Sequence, residues 1–241
     1  MTRVLFAVSG VDYWTLADGT RHPCGFWPEE LAVPHEIFSA AGFDITIATP
    51  GAARPTADEA GFSAEMNGGS EEPGKRFRAY LDSIADALNS PADLDKVNAT
   101  DYDLVFVPGG HGPMEDLAVS ERFGALVGDL AAAGKPVAAV CHGPAALLPA
   151  LGKDGKWLFA GRRLTGFSDR EETQVGLAGK AKWLLEDSLI RSGGHYESTG
   201  PWQPLVINDG NLYTGQNPAS SAPLANRLVE VAAGQLAAPV H

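Results

Sequence analysis

The run Lys135-Pro136-Val137-Ala138-Ala139-Val140-Cys141-His142-Gly143-Pro144-Ala145-Ala146-Leu147-Leu148 constrains the rest of the chain more than any other stretch. Val137 to Val140 is a short apolar run that reads as a buried central strand. Pro144 to Leu148 reads as the first turn of a helix, because proline is tolerated near a helix start and Ala and Leu follow it. Cys141 is therefore expected at the bend between strand and helix, with Gly143 permitting a backbone that most residues cannot adopt. A strained turn of this kind lifts a nucleophile above a sheet edge, and the free N–H groups of a helix start favour negative charge on the sulfur. A cysteine can equally pack as an inert small hydrophobe. The elbow alone leaves both readings open.

With 241 residues, 44% of them hydrophobic, the chain can bury a large core, and one α/β domain of this length is ordinary. Eighteen basic against thirty acidic residues give a net charge of −12. That balance repels phosphate backbones and anionic lipid, so neither nucleic acid nor a membrane surface is expected as a partner. Two cysteines, Cys24 and Cys141, make no disulfide framework and suit a reducing cytoplasm. The apolar run Val4 to Val8 is too short for a signal peptide or a membrane span.

Arg3 to Ser9 reads as a first strand, Val11 to Gly25 as a loop, and Pro28 to Ala41 as a helix stopped by Gly42. Phe43 to Thr49 is a second strand, so strand, helix and strand form a βαβ unit and imply a parallel sheet. Residues 52–98 are expected to form a peripheral insertion within one domain spanning 1–241, with a helix from Lys75 to Leu88. Asp103 to Pro108 is another buried strand, running into Gly109-Gly110-His111-Gly112. Ser120 is expected to cap a helix through Ala133. Further on come a short strand Arg163 to Phe167, a helix capped by Asp169, and a helix over Lys182 to Ser192. Leu205 to Thr214 reads as a hairpin turning at Asp209-Gly210, and a last amphipathic helix runs to about Leu236.

At Cys141 the local reading meets a family. Ala139-Val140-Cys141-His142-Gly143-Pro144 resembles the nucleophile elbow of the ThiJ/PfpI superfamily, a branch of the class I glutamine amidotransferase-like fold. Val107-Pro108-Gly109-Gly110-His111-Gly112 resembles that family's oxyanion loop, and Glu30 lies where its first helix carries an acidic residue. Three more stretches are similar to the heat-shock chaperone and glyoxalase III clade: Thr165-Gly166-Phe167-Ser168-Asp169 with Glu172, Gly200-Pro201-Trp202, and Thr214-Gly215-Gln216-Asn217-Pro218-Ala219-Ser220. The resemblance implies a flavodoxin-like, parallel-rich sheet sandwiched by helices. It also implies a cofactor-independent, metal-free conversion of methylglyoxal and related 2-oxoaldehydes to 2-hydroxy acids, and a homodimer.

The same resemblance implies a role for each residue. Cys141 would attack the aldehyde carbon, Glu30 would hydrogen-bond the thiol and shuttle the substrate proton, and the N–H groups of Gly110 and His142 would hold the oxyanion. His142 and Glu172 would complete the site; His111, at the end of its strand, either contacts substrate or merely ends that strand. Magnitudes restrict the Cys141–Glu30 pair. A helix terminus contributes roughly 0.3–1 kcal/mol, too little to bring a thiol from about 8.5 to well below 7. An ionised Glu30 would raise the thiol further, so a reactive thiolate requires Glu30 to be protonated and donating, the two sharing a proton. His195-Tyr196-Glu197 argues for a different chemistry, since amidotransferases on this fold place a His-x-Glu pair downstream of the nucleophile. A cysteine amidohydrolase or peptidase, and a chaperone or deglycase acting on unfolded or glycated proteins, are the alternatives.

Overall fold

The computed structural model describes residues 1–234. Seven strands form the main sheet, here β1 (Arg3–Ala7), β2 (Asp44–Thr49), β3 (Ala92–Asp93), β4 (Leu104–Val107), β5 (Val137–Val140), β6 (Val206–Asp209) and β7 (Leu212–Gly215). Their spatial order is β6-β7-β5-β4-β1-β2-β3, and every neighbouring pair is parallel except β6 with β7. The inner strands β4 and β5 are buried at every position, as continuous apolar runs with both faces covered demand. The fold is thus the parallel-rich α/β sandwich the sequence predicts.

Six longer helices accompany the sheet: α1 (Pro28–Ala40), α2 (Glu72–Ser83), α3 (Glu121–Ala132), α4 (Asp169–Gln174), α5 (Leu185–Arg191) and α6 (Ser221–Ala232). α1 packs on α2 and α6, and α3 packs against β4 and β5. The chain runs outward from β1 through β2 to β3, then returns to the other side of β1 to place β4 and β5. The direction of winding therefore changes between β1 and β4. In open α/β sheets the crevice beyond the strand C-termini at such a switch point is where ligands bind. Gly109-Gly110 follows β4 there, Cys141 follows β5, and Glu30 comes from the helix after β1.

Several boundaries differ from the expectation, each for a local reason. The segment Val11 to Gly25 is not all loop: Tyr13–Thr15 and Arg21–Pro23 pair antiparallel. The pairing buries Trp14, and Asp18-Gly19, with Gly19 at φ +85°, turns the chain. The Lys75 to Leu88 periodicity belongs to two helices, Glu72–Ser83 and Ala85–Asn89, broken at Ile84 with φ −110° and ψ 19°. Within 52–98, Ala92–Asp93 rejoins the main sheet as its edge strand beside Ala48 and Thr49. α4 is capped by Ser168 rather than Asp169, through a capping box with Glu171. The short strand is Arg163–Leu164, and α5 starts at Leu185, after Lys182. Ser120 caps α3 as expected, accepting from Phe123 N–H. α6 is assigned to Ala232, and the expected end near Leu236 lies outside the described residues. No helix among the described residues is long and apolar enough to cross a membrane.

α3 offers a paired test of packing against backbone propensity. A Cβ on Gly124 would sit 2.4 Å from the Pro149 carbonyl oxygen, whereas one on Gly128 would meet nothing within 4 Å. Gly124→Ala is expected to destabilise the protein by about 1–3 kcal/mol. Gly128→Ala is expected to stabilise it by about 0.5–1 kcal/mol. Urea unfolding midpoints of the two variants check both signs.

Candidate active site

Cys141 is the pivot of the elbow. Its φ is +59°, in the left-handed region that residues with a side chain rarely enter. Both of its peptide groups are tied down: its N–H donates to the Gly215 carbonyl at 2.9 Å, and its carbonyl accepts from Phe167 N–H at 2.8 Å. Gly143 is required two residues later, because a Cβ there would lie 2.3 Å from the Val107 carbonyl oxygen. The chain then enters a 3-10 helix, Gly143–Leu147, and not the α-helix expected from Pro144 onward. Five residues of 3-10 helix align few peptide dipoles, so the helix contribution to the sulfur is smaller than a full terminus would supply. The backbone donor directed at the sulfur is Gly110 N–H, which acts to lower the thiol pKa.

Glu30, in the first turn of α1, is fully buried. Its Oε2 accepts from Gly109 N–H at 2.7 Å, and its Oε1 has no partner of ordinary hydrogen-bond geometry among the described residues. The Cys141 thiol is the polar group beside this carboxyl, and each shifts the other. Burial pushes Glu30 well above the usual carboxyl range, against the hydrogen bonds from Cys141 and Gly109. Burial also pushes the Cys141 thiol up, and a charge on Glu30 pushes it further. Both shifts say that this dry pocket does not hold two negative charges.

On the other side of the sulfur stands a line of three groups. Cys141 Sγ lies 3.4 Å from His142 Nδ1, His142 Nε2 lies 2.7 Å from Glu172 Oε2, and Glu172 Oε1 lies 3.0 Å from His111 Nε2. Adjacent side chains on an elbow usually diverge, yet here the His142 ring turns back to the sulfur. Burial lowers the His142 pKa, and the neighbouring His111 lowers it further. Burial alone would raise the Glu172 carboxyl, but the charge and hydrogen bonds of the two histidines outweigh it and hold it well below its usual range. His111, His142 and Glu172 each offer a ligand atom within 4.8 Å of the others, a spacing that a divalent cation could use. In the arrangement present, the same atoms are engaged in the two imidazole–carboxylate contacts.

Sequence reasoning passed over Glu171. This fully buried carboxylate accepts five hydrogen bonds: from Ser168 N–H and Oγ, Gln216 Nε2, Trp202 N–H and Asn217 Nδ2. The three stretches noted after the elbow all converge on it. Trp202 is held at φ +64°, and its ring meets Phe167 edge-on at 5.7 Å, while Phe167 lies 4.5 Å from His142. The signal available in the sequence was the Ser168-x-x-Glu171 spacing of a capping box. His195 and Glu197 are not brought to the cysteine. His195 is exposed, and Glu197 forms an ion pair with Arg163 at 2.6 Å. Cys24 is buried, and burial raises its thiol pKa far above the ordinary range.

The buried Glu30 has a consequence for stability. With Cys141→Ala as the parent form, so that no thiol shares the proton, the raised pKa of Glu30 means that above about pH 4.5 the folded state holds a proton that the unfolded state has released, and stability falls as pH rises. Glu30→Gln removes that slope. The variant is expected to be more stable than the parent at pH 8, with the difference opening from about pH 4.5 upward by at most about 1.4 kcal/mol per unit. Melting temperatures at pH 5, 6.5 and 8 test this; a constant difference contradicts it.

The DJ-1/PfpI family model matches residues 25–231. The chain is 31% identical to the glutathione-independent glyoxalase of Saccharomyces cerevisiae over 236 residues, covering 95% of this chain and 97% of that protein. Among solved structures, glyoxalase III from Candida albicans superposes with a TM-score of 0.81 at 25% identity, covering 95% of this chain and 96% of that one. The rapid encystment protein of Francisella tularensis superposes with a TM-score of 0.85 at 28% identity, covering 95% and 98%. A sheet wound to place a cysteine elbow beside a buried glutamate, with a family match across most of its length, identifies this chain as a member of the DJ-1/PfpI family, related to proteins of the glyoxalase III type.

Proposed function

We propose that the protein converts methylglyoxal and related 2-oxoaldehydes to 2-hydroxy acids without glutathione, through a covalent adduct on Cys141. The observation that carries this reading is that the sulfur has an acid–base group on each side, Glu30 and His142. A cysteine peptidase needs one such group. A reaction that moves a proton between neighbouring carbons and then adds water uses two. The names of the Saccharomyces and Candida relatives support the same chemistry.

In this reading the Cys141–Glu30 pair shares one proton, held by the buried carboxyl, and the sulfur carries the charge. The thiolate adds to the aldehyde carbon, forming the C–S bond, and the carbonyl π electrons pass to oxygen. Gly110 and His142 N–H groups hold that oxyanion. Glu30 gives it a proton, leaving a hemithioacetal, and the resulting carboxylate takes the proton from the same carbon. It returns that proton to the neighbouring carbon while the hydroxyl proton passes from one oxygen to the other, which gives a 2-hydroxy thioester. Water then adds with His142 as base, Glu172 stabilising the imidazolium. The C–S bond breaks, and the proton on His142 goes to sulfur. Methylglyoxal plus water equals lactic acid, so no external oxidant or reductant is required.

Burial weighs against larger substrates. Cys141 is 4% exposed and His142 1%, so a side chain on an intact protein could reach the sulfur only after the walls opened. The exposed His195 and the Arg163-bound Glu197 offer no alternative base for an amidohydrolase.

Pure, chelator-treated protein is expected to turn methylglyoxal into lactate without added thiol, as measured by chiral chromatography. Cys141→Ala is expected to abolish the product. Lactate formation that is lost on chelation and restored by zinc contradicts the reading.

A second prediction separates the two acid–base groups. Glu30→Gln retains a neutral donor to sulfur but cannot move a proton, so turnover is expected to fall by a factor of about 10²–10⁴ while the thiolate persists. Glu30→Ala loses both functions and is expected to slow alkylation of Cys141 by iodoacetamide near pH 7. The pH dependence of alkylation, in a Cys24→Ser background, distinguishes them. Faster alkylation of the Ala form at low pH means that the carboxylate was ionised and repelling the thiolate.

A further inference from the structure

Glu172 meets two histidines, and the reaction above uses only one of them. Its Oε2 lies 2.7 Å from His142 Nε2 and its Oε1 lies 3.0 Å from His111 Nε2. An ionised carboxylate only accepts, so each of these nitrogens is the one carrying the ring proton. For His142 that leaves Nδ1 as the lone pair, and Nδ1 is the atom 3.4 Å from the Cys141 sulfur. Glu172 therefore sets the tautomer in which His142 can take a proton.

His111 is held in place from the outside. The Trp14 ring stacks on it at 4.8 Å with an 18° tilt, and the His142 ring lies 4.1 Å away. Trp14 belongs to the Tyr13–Pro23 hairpin, which is itself anchored. Thr15 N–H and Oγ1 donate to Glu115 at 2.8 and 2.7 Å, and Ala17 N–H donates to the Lys180 carbonyl at 2.8 Å. The ring is thus clamped between a tryptophan and the active-site histidine, with its Nε2 aimed at the carboxylate.

We propose that His111 is a positioning residue for His142: by occupying one oxygen of Glu172 it divides the carboxylate between two imidazoles, which keeps His142 neutral with its proton on Nε2. This rests on the reading of His142 as the base beside Cys141, and it gives His111 a role through Glu172 instead of through the substrate. A carboxylate already accepting a second N–H attracts a proton on His142 less strongly than one that is free. The surrounding charges are consistent with this balance. Glu172 and Glu171 of α4 raise the His142 pKa, while burial and His111 lower it. His22 of the hairpin and Asp58 of the loop beyond β2 face His111, and Cys141 and Glu30 lie on the sulfur side.

The test is an NMR titration of protein labelled with 15N in its six histidine rings, in the parent, His111→Phe and His111→Gln forms. Phe keeps the ring between Trp14 and His142 but removes the donor; Gln keeps a neutral N–H. In the parent near pH 7.5, both His111 and His142 are expected as the Nε2–H tautomer. In His111→Phe the His142 midpoint is expected to rise by about one pH unit, and His111→Gln is expected to recover at least half of that shift. Either ring appearing as the Nδ1–H tautomer in the parent overturns the proposal, whether or not the variants fold. So does an unchanged His142 midpoint in the Phe form, or a Gln form shifted as far as Phe. Neither measurement uses turnover, so absence of glyoxalase activity would defeat the proposed function and leave this result standing or falling by itself.

Discussion

The left-handed backbone of Cys141 is the constraint around which the site is built. A residue with a side chain at positive φ costs on the order of 1–3 kcal/mol, and it persists only where the surroundings leave no alternative. Here the strand before it is buried, its N–H is committed to Gly215 and its carbonyl to Phe167. Neighbouring glycines complete the enclosure. A Cβ on Gly109 would meet His142 N at 2.6 Å, and one on Gly110 would meet the Gly25 carbonyl oxygen at 2.2 Å. Two strand ends and a loop therefore close on the sulfur at distances that only glycine allows, and this close approach is what puts Gly110 N–H and Glu30 within its reach.

A second fixed point, Glu171, works at longer range. A buried carboxylate without partners would be strongly destabilising, whereas five donors make it a junction among α4, the Trp202 turn and the segment after β7. Successive residues on a helix diverge by about 100°. With Glu171 committed to the junction, Glu172 faces the other way, toward His142 and His111. The two adjacent glutamates therefore have different roles: one holds three loops together, and the other orients an imidazole.

Dryness explains the remaining behaviour of the site. Exclusion of water raises both the Glu30 carboxyl and the Cys141 thiol and lowers His142. The same exclusion strengthens each hydrogen bond that compensates for it, from Gly109 to the carboxyl and from Gly110 to the sulfur. It also makes proton sharing between neighbours less costly than independent ionisation.

Local sequence determined the strands β1, β2, β4 and β5, the elbow and the loop of glycines, because hydrophobic runs, Pro144 after Gly143, and Gly109-Gly110 act over a few residues. Glu30 was legible only through resemblance. Nothing in Pro28-Glu29-Glu30-Leu31 says which of two adjacent carboxylates is buried, since that depends on which one the fold brings to Gly109 and Cys141, just beyond the ends of β4 and β5. Adjacent side chains on an elbow usually diverge, but the His142 ring turns to the sulfur because Glu172, thirty residues on, holds its far nitrogen. The pairing of His111 with Glu172 joins residues 61 positions apart, one just beyond β4 and the other on α4, which come together only in the folded chain. Periodicity and turn chemistry report what a segment does with its own backbone. Which side chains share a proton is decided by distance between segments, and the folded sheet alone supplies that distance.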